Sequence, residues 1–176
     1  MSLSGPQFGL WRRAFSIDTH THGFFPLLGS SAATTYPVAN QAYYVPVAVR
    51  QRVVVRKLWV AVGSTATGNL DVGVYDAAGV RIVSAGSTAK TSDTEQVVDV
   101  TDTTIGPGLY YMALNCSNNT DTFFMDSNSS APTLGGIGVL SEAVGSVTLP
   151  ATATWAVDQT VTKYPLMGMF LGTVVS

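Results

Sequence analysis

From Tyr43 onward the chain advances in twos, and this alternation limits its fold more than any other feature. Tyr43, Val45, Val47 and Val49 alternate with Tyr44, Pro46, Ala48 and Arg50. Leu58, Val60 and Val62 alternate with Lys57, Trp59 and Ala61, and Leu70, Val72 and Val74 with Asp71, Gly73 and Tyr75. Side chains two apart lie on one face of a pleated strand, so each run reads as a strand with an inner and an outer face. Nowhere does a helical period last three turns. The expected fold class is therefore all-β.

Turn chemistry separates the runs. Asp76-Ala77-Ala78-Gly79 pairs a turn-starting Asp with a Gly suited to positive φ, and Val80 to Ser84 returns as the hairpin partner. Pro46 cannot donate to a ladder, which predicts a sheet edge for what reads as the first strand. Gln96 to Val100 reads as a strand, Thr101 to Pro107 as a loop, and Gly108 to Cys116 as a strand with Tyr110, Met112, Leu114 and Cys116 inward. Thr122 to Met125 follows between polar stretches, the second around Asn128. Gly135, Gly136, Gly138 and Gly145 leave only short strands up to Thr154. Leu166 to Val175 is apolar on both faces, which predicts a strand buried on both sides, central or between subunits. About nine or ten strands with frequent turns suit a jelly-roll-like antiparallel β-sandwich better than a seven-stranded immunoglobulin-like one.

Residues 1–37 read differently. Gly5, Pro6, Gly9, Gly23, Pro26, Gly29 and Pro37 interrupt the apolar residues Phe8, Leu10, Trp11, Phe24, Phe25, Leu27 and Leu28, so neither period survives. Leaving such side chains in water costs about 1.5–3 kcal/mol each relative to burial. The expected organisation is an N-terminal docking and assembly arm, 1–37, followed by a sandwich domain, 38–176.

Only 11% of residues are charged and 46% are hydrophobic, against about a quarter charged in an ordinary soluble domain. A surface of Ser, Thr, Asn and Gly, or one covered by other subunits, accounts for the shortfall. A net charge of -2 and six scattered Arg offer no field for a phosphate backbone, so nucleic acid is not an expected partner. No apolar run approaches the roughly 20 residues of a membrane-spanning helix, and Trp11-Arg12-Arg13 interrupts the N-terminus where a signal peptide needs its apolar stretch. Membrane insertion is not expected, and synthesis in a cytoplasm is. The single cysteine, Cys116, reads as a small core residue.

His20 and His22, the only histidines, stand in Ile17-Asp18-Thr19-His20-Thr21-His22-Gly23, which resembles the His-x-His opening of amidohydrolase barrels. Those enzymes need further ligands on a (β/α)₈ barrel of about 250 residues, and this chain has neither a third histidine nor helices. On an extended segment the two imidazoles point the same way. Three copies on an axis would enclose a transition metal, as in the His-x-His sites of trimeric phage fibre tips, although those lie distally and this pair lies near the N-terminus. No Gly-x-Ser-x-Gly elbow occurs, and Asp76, Asp93, Asp102, Asp121 and Asp126 sit in turn-like contexts. No catalytic residues are assigned, and no cofactor beyond that metal. Trp59, Tyr75 and Tyr111 fall on predicted outward faces and form a candidate surface aromatic patch, for sugars or for interfaces.

Ala42-Tyr43-Tyr44-Val45-Pro46, Val55-Arg56-Lys57-Leu58-Trp59-Val60, Gly68 to Asp76 and Gly106 to Leu114 together resemble the jelly-roll modules of tailed-bacteriophage virion proteins, in tail and head fibres and capsid decorations. The resemblance spans about Ala42 to Val175. It implies a structural component of a virion, made in the host cytoplasm and assembling as a homo-oligomer, a trimer by preference, with other virion proteins. The alternative is a carbohydrate-binding module that recognises host surface glycans through the aromatic patch.

Overall fold

The computed structural model describes residues 31–91, 95–127, 138–157 and 162–172. All regular structure among them is strand: β1 (Ser31–Thr35), β2 (Gln41–Val49), β3 (Val53–Ala61), β4 (Asn69–Asp76), β5 (Arg81–Ser84), β6 (Thr88–Ala89), β7 (Glu95–Ile105), β8 (Gly108–Cys116), β9 (Thr122–Ser127), β10 (Leu140–Ala143), β11 (Ala156–Val157), β12 (Lys163–Pro165) and β13 (Met167–Gly172). A large antiparallel sheet has the order β11-β10-β2-β8-β4-β5, with β6 also on β4. Opposite it lie β13-β3-β7 and β1-β9-β12. These two smaller sheets join at Leu166, whose amide donates to the Phe124 carbonyl at 3.0 Å and whose carbonyl accepts from Ala61 at 2.9 Å. The connections β2 to β3, β3 to β4, β7 to β8 and β8 to β9 all cross between layers, in the jelly-roll manner.

The alternation fills the space between the layers. Tyr43, Val45 and Val47 of β2, Leu70, Val72 and Val74 of β4 and Met112, Leu114 and Cys116 of β8 face Val55, Leu58 and Val60 of β3, Phe123 and Met125 of β9 and Met167 and Met169 of β13. At about 1.5–3 kcal/mol for each large apolar side chain removed from water, this cluster is the main source of stability. The Asp76 turn forms as expected: the Asp76 carboxylate accepts from the Ala78 and Val80 amides at 2.9 Å each, and Gly79 takes φ +85°.

Four expectations change. Residues Ser31–Thr35 pair with β9, and Tyr36 is buried with its hydroxyl 2.7 Å from the Leu114 carbonyl. The folded domain therefore starts at least as early as Ser31, and not at residue 38. Second, β2 lies between β10 and β8 and has Tyr43 and Tyr44 buried on opposite faces. Its proline is tolerated because Pro46 lies beyond Leu140↔Tyr44, where the β10 ladder ends. Third, β7 continues through Thr101 to Ile105, since cross-strand bonding to Val53, Val54 and Val55 needs backbone and not apolar side chains. Fourth, β13 is an edge strand among the described residues, with Met167 and Met169 in the core and Phe170 half-buried on the other face. Within one chain it is dry on one side because it belongs to an outer layer, which rules out the central placement; burial between subunits concerns the assembly and not the single chain. Val174 and Val175, the Asn128 loop, Gly135 and Gly136 lie outside the described residues.

Candidate functional site

The outer face of the large sheet is built in rows. Asp71, Asn115, Ala42 and Glu142 stand opposite one another across β4, β8, β2 and β10, and the next row is Gly73, Ala113, Tyr44 and Leu140. Tyr75 and Tyr111 follow. Residues 144–155 close over these rows. Leu149 sits on the floor left by Gly73, where an added Cβ would come within 2.9 Å of the leucine Cδ1. The Trp155 ring packs 4.9 Å from Tyr44, 4.6 Å from Tyr111 and 6.1 Å from Tyr75, and Tyr44 meets Tyr75 edge-on at 5.1 Å.

Polar groups hold this cover down. Tyr75 donates to the Pro150 carbonyl at 2.5 Å, Arg81 donates to the Leu149 carbonyl, and Asp71 accepts from the Leu149 amide at 2.9 Å. Asn115 donates to the carbonyls of Ser146 at 2.7 Å and Val147 at 3.0 Å. The Tyr44 hydroxyl donates to one oxygen of Glu142, and the other accepts from the amide and hydroxyl of Thr154 at 2.6 and 2.7 Å. Burial pushes the phenols of Tyr44 and Tyr75 above their ordinary range, so neither supplies a phenolate near neutrality. Glu142, with both oxygens engaged, is positioned as a brace rather than as a free base.

A second polar knot ties the loop between β3 and β4 to the start of β9. Asp121 is buried, and its carboxylate accepts from the Thr67 amide and hydroxyl at 2.8 Å each and from the Gly68 amide at 3.0 Å. Burial raises its pKa, but those donors and the Lys90 charge outweigh it, and the net shift is downward. Lys90 donates to the Thr65 carbonyl and lies 4.9 Å over the Phe123 ring. Cys116 sits beneath, and burial pushes its thiol up to about 11.

The outer face of β13-β3-β7 has a different character. Gly168, Trp59 and Val97 stand in one row, and Leu166 links Ala61 to Phe124 beside it. Trp59 lies across Gly168, and Phe170 stands two residues further along β13. Val97 is 42% exposed and Phe124 38%. Charge flanks this row on both sides: Lys57, opposite Phe170, meets Asp99 at 3.0 Å and Arg56 meets Asp102 at 3.3 Å, while the exposed Glu95 stands opposite Ala61.

The three residues expected to form one aromatic patch are therefore divided. Trp59 is half-buried on the small sheet, whereas Tyr75 and Tyr111 belong to the opposite layer, Tyr75 fully buried and Tyr111 half-buried beneath Trp155. Their outward orientation was legible in the period of two; the covering segment, which has no period, was not. His20, His22 and the arm residues Phe8, Leu10, Trp11, Phe24, Phe25, Leu27 and Leu28 lie outside the described residues. Among the described residues there is no grouping of three His, Cys, Asp or Glu able to hold a metal, and no helix is long and apolar enough to cross a membrane. Comparison of the chain with protein-family models, with curated proteins and with solved structures returned no match.

Proposed function

We propose that this chain is a structural, non-catalytic component of a tailed-phage virion, a β-sandwich made in the host cytoplasm that assembles as a homo-oligomer, a trimer by preference, and packs against other virion proteins. The observation that carries the reading is the apolar row Gly168, Trp59 and Val97 on the outer face of β13-β3-β7, with Val97 and, on neighbouring β9, Phe124 left exposed and charged residues flanking the row. Apolar residues grouped on one face, with a polar rim, are what a protein interface uses. The apolar segment 1–30 adds material of the same chemistry at the entry to β1.

Light scattering tests the assembly claim. The full chain should show a multiple of its 18.5 kDa mass at about 100 µM, about a hundredfold above a Kd of 1 µM. Replacing Val97 and Phe124 with Lys should reduce the mass of the oligomer while leaving the far-ultraviolet circular dichroism unchanged. A single-chain mass for the unaltered protein at that concentration would overturn the reading. Mass spectrometry of purified particles tests the virion claim, and absence of the chain from them would refute it.

A second reading, a module that binds host glycans, draws on Tyr111 and Trp155, whose half-buried rings lie 4.6 Å apart on the other face. Partly exposed aromatic rings at a surface suit sugar rings. A glycan array positive for the full chain and negative for Trp155→Ala would favour this reading.

A further inference from the structure

Two buried oxygens remain without a hydrogen-bond partner in the row beneath the 144–155 cover: Oδ1 of Asp71 and Oδ1 of Asn115. Both residues are fully buried, and they stand directly opposite each other on β4 and β8. A buried oxygen left without a donor costs about 1–3 kcal/mol, so two such atoms on directly opposed residues call for a donor. The Asn115 amide cannot supply it by turning over. Its Nδ2 already donates to the Ser146 and Val147 carbonyls, and rotation would place an oxygen against two others. Asp71 Oδ2 is committed to the Leu149 amide.

We propose that Asp71 is held as a carboxylic acid whose proton, on Oδ1, is donated to Asn115 Oδ1, and that this neutral pair latches residues 146–149 over the aromatic rows. One proton then satisfies both oxygens. The reach is sufficient: directly opposed residues have Cβ atoms about 4.5–5.5 Å apart, within which two short polar side chains meet at hydrogen-bond distance. Burial raises the Asp71 pKa and outweighs the Leu149 amide, the Gly86 and Val72 amides, which lie near the carboxylate without closing a hydrogen bond to Oδ1, and the Arg81 charge, all of which act in the opposite direction. The charged and titratable groups around the pair are Arg81 on β5, Tyr75 on β4, Tyr44 on β2, Tyr111 on β8 and Glu142 on β10. Of these, Arg81 is committed to the Leu149 carbonyl, Glu142 to Tyr44 and Thr154, and Tyr75 to the Pro150 carbonyl.

The sign follows from linkage. A carboxyl whose folded pKa is raised contributes stability that is fully present below its unfolded value, about 3.9, and is lost as pH rises through the folded value. The latch is therefore closed in mild acid and strained in alkali. The proposal stands independently of the assembly reading, because it concerns the opposite face of the sandwich.

The test is a carbon-13 NMR titration of the Asp71 side-chain carboxyl in the intact protein. A midpoint above the ordinary carboxylate value supports the shared proton. A midpoint at or below it overturns the proposal and leaves the two oxygens to a bridging water as donor or to a bound cation that they coordinate; a thermal shift with calcium and its reversal by chelator would identify the cation. Asp71→Asn gives a second readout, since an amide donates to Asn115 without titrating. Its melting temperature relative to the unaltered protein should rise by about 2–4 °C or more between mild acid and pH 8. A constant difference across that range would also overturn the proposal.

Discussion

Gly168 and Trp59 make a sharply testable pair in this fold. Gly168 lies on β13 directly opposite Trp59 on β3. A Cβ at residue 168 would stand 2.5 Å from Cε2 and 2.7 Å from Cζ2 of the indole, with Nε1 closer still. Carbon atoms settle at about 3.5–4.0 Å, so Gly168→Ala requires the ring to retreat by about 1 Å or to leave the sheet. Overpacking of that kind costs about 1–3 kcal/mol. Glycine-to-alanine replacement where the backbone tolerates it returns about 0.4–1 kcal/mol through the unfolded chain, and Gly168 is not among the residues with positive φ. The net expectation is a loss of about 1–2 kcal/mol. In a Trp59→Ala background the obstacle is gone, and the same alanine should stabilise by about 0.4–1 kcal/mol. The coupling in the double-mutant cycle is then about 1–3 kcal/mol. Urea unfolding followed by far-ultraviolet circular dichroism, which does not depend on the tryptophan removed, measures all four corners. An equal effect of Gly168→Ala in both backgrounds would show that the indole does not lie across the glycine.

Three further outcomes follow from the buried polar groups and the cysteine. Asp121→Ala leaves the Thr67 amide and hydroxyl and the Gly68 amide without their acceptor and should cost about 3–5 kcal/mol in urea unfolding. Because the Asp121 pKa is lowered in the fold, its contribution is present above the ordinary carboxylate value and is lost as pH falls through the folded value; the stability gap between the two proteins should close in acid, and a gap independent of pH would refute the assignment. Tyr75→Phe removes the donor to the Pro150 carbonyl and should cost about 1 kcal/mol, read by the same denaturation, whereas no loss would mean that the cover is not held there. Cys116, buried with its thiol pushed up to about 11, should react with a thiol reagent at pH 8 about a thousandfold more slowly than in the unfolded chain; comparable rates would place it at the surface.

Where side chains dictate the backbone, the sequence was readable. Leu58 and Val60, Leu70 to Val74 and Tyr110 to Cys116 alternate because one face of each strand enters a dry core, and the Asp76–Gly79 turn announces itself through its own hydrogen bonds. Thr101 to Ile105 lacks that pattern, since an exposed edge strand is held by backbone bonds that carry no side-chain signature. The cover at 144–155 is invisible for a related reason. Leu149 and Trp155 are placed by a floor of small residues, Gly73 and Ala113, contributed by distant strands. Asp71 and Asn115 read as outward polar residues because period 2 reveals the face a residue occupies and says nothing of what later folds across that face. Trp59, Tyr75 and Tyr111 fall together in the sequence for the same reason: the period shows that each points outward, and not which sheet it points outward from.

The two outer faces solve one problem in different ways, and the difference bears on function. A sandwich whose strands carry large apolar residues on both sides must cover its outer surfaces or leave them in water. On the large sheet the chain covers itself, at the cost of burying Asp71 and Asn115, whose hydrogen bonds, with those of the half-buried Glu142, fix the cover in one position. On the opposite layer Val97 of β7 and Phe124 of β9 keep 42% and 38% of their surface exposed. A self-made cover needs such fixtures because it must return to one place every time the chain folds. A surface intended for another chain is better left apolar, with charge kept to its rim, so that the partner brings its own shape. If the proposed assembly uses this face, a charge at Val97 should disturb assembly without disturbing the fold, whereas loss of Asn115 should disturb the fold first.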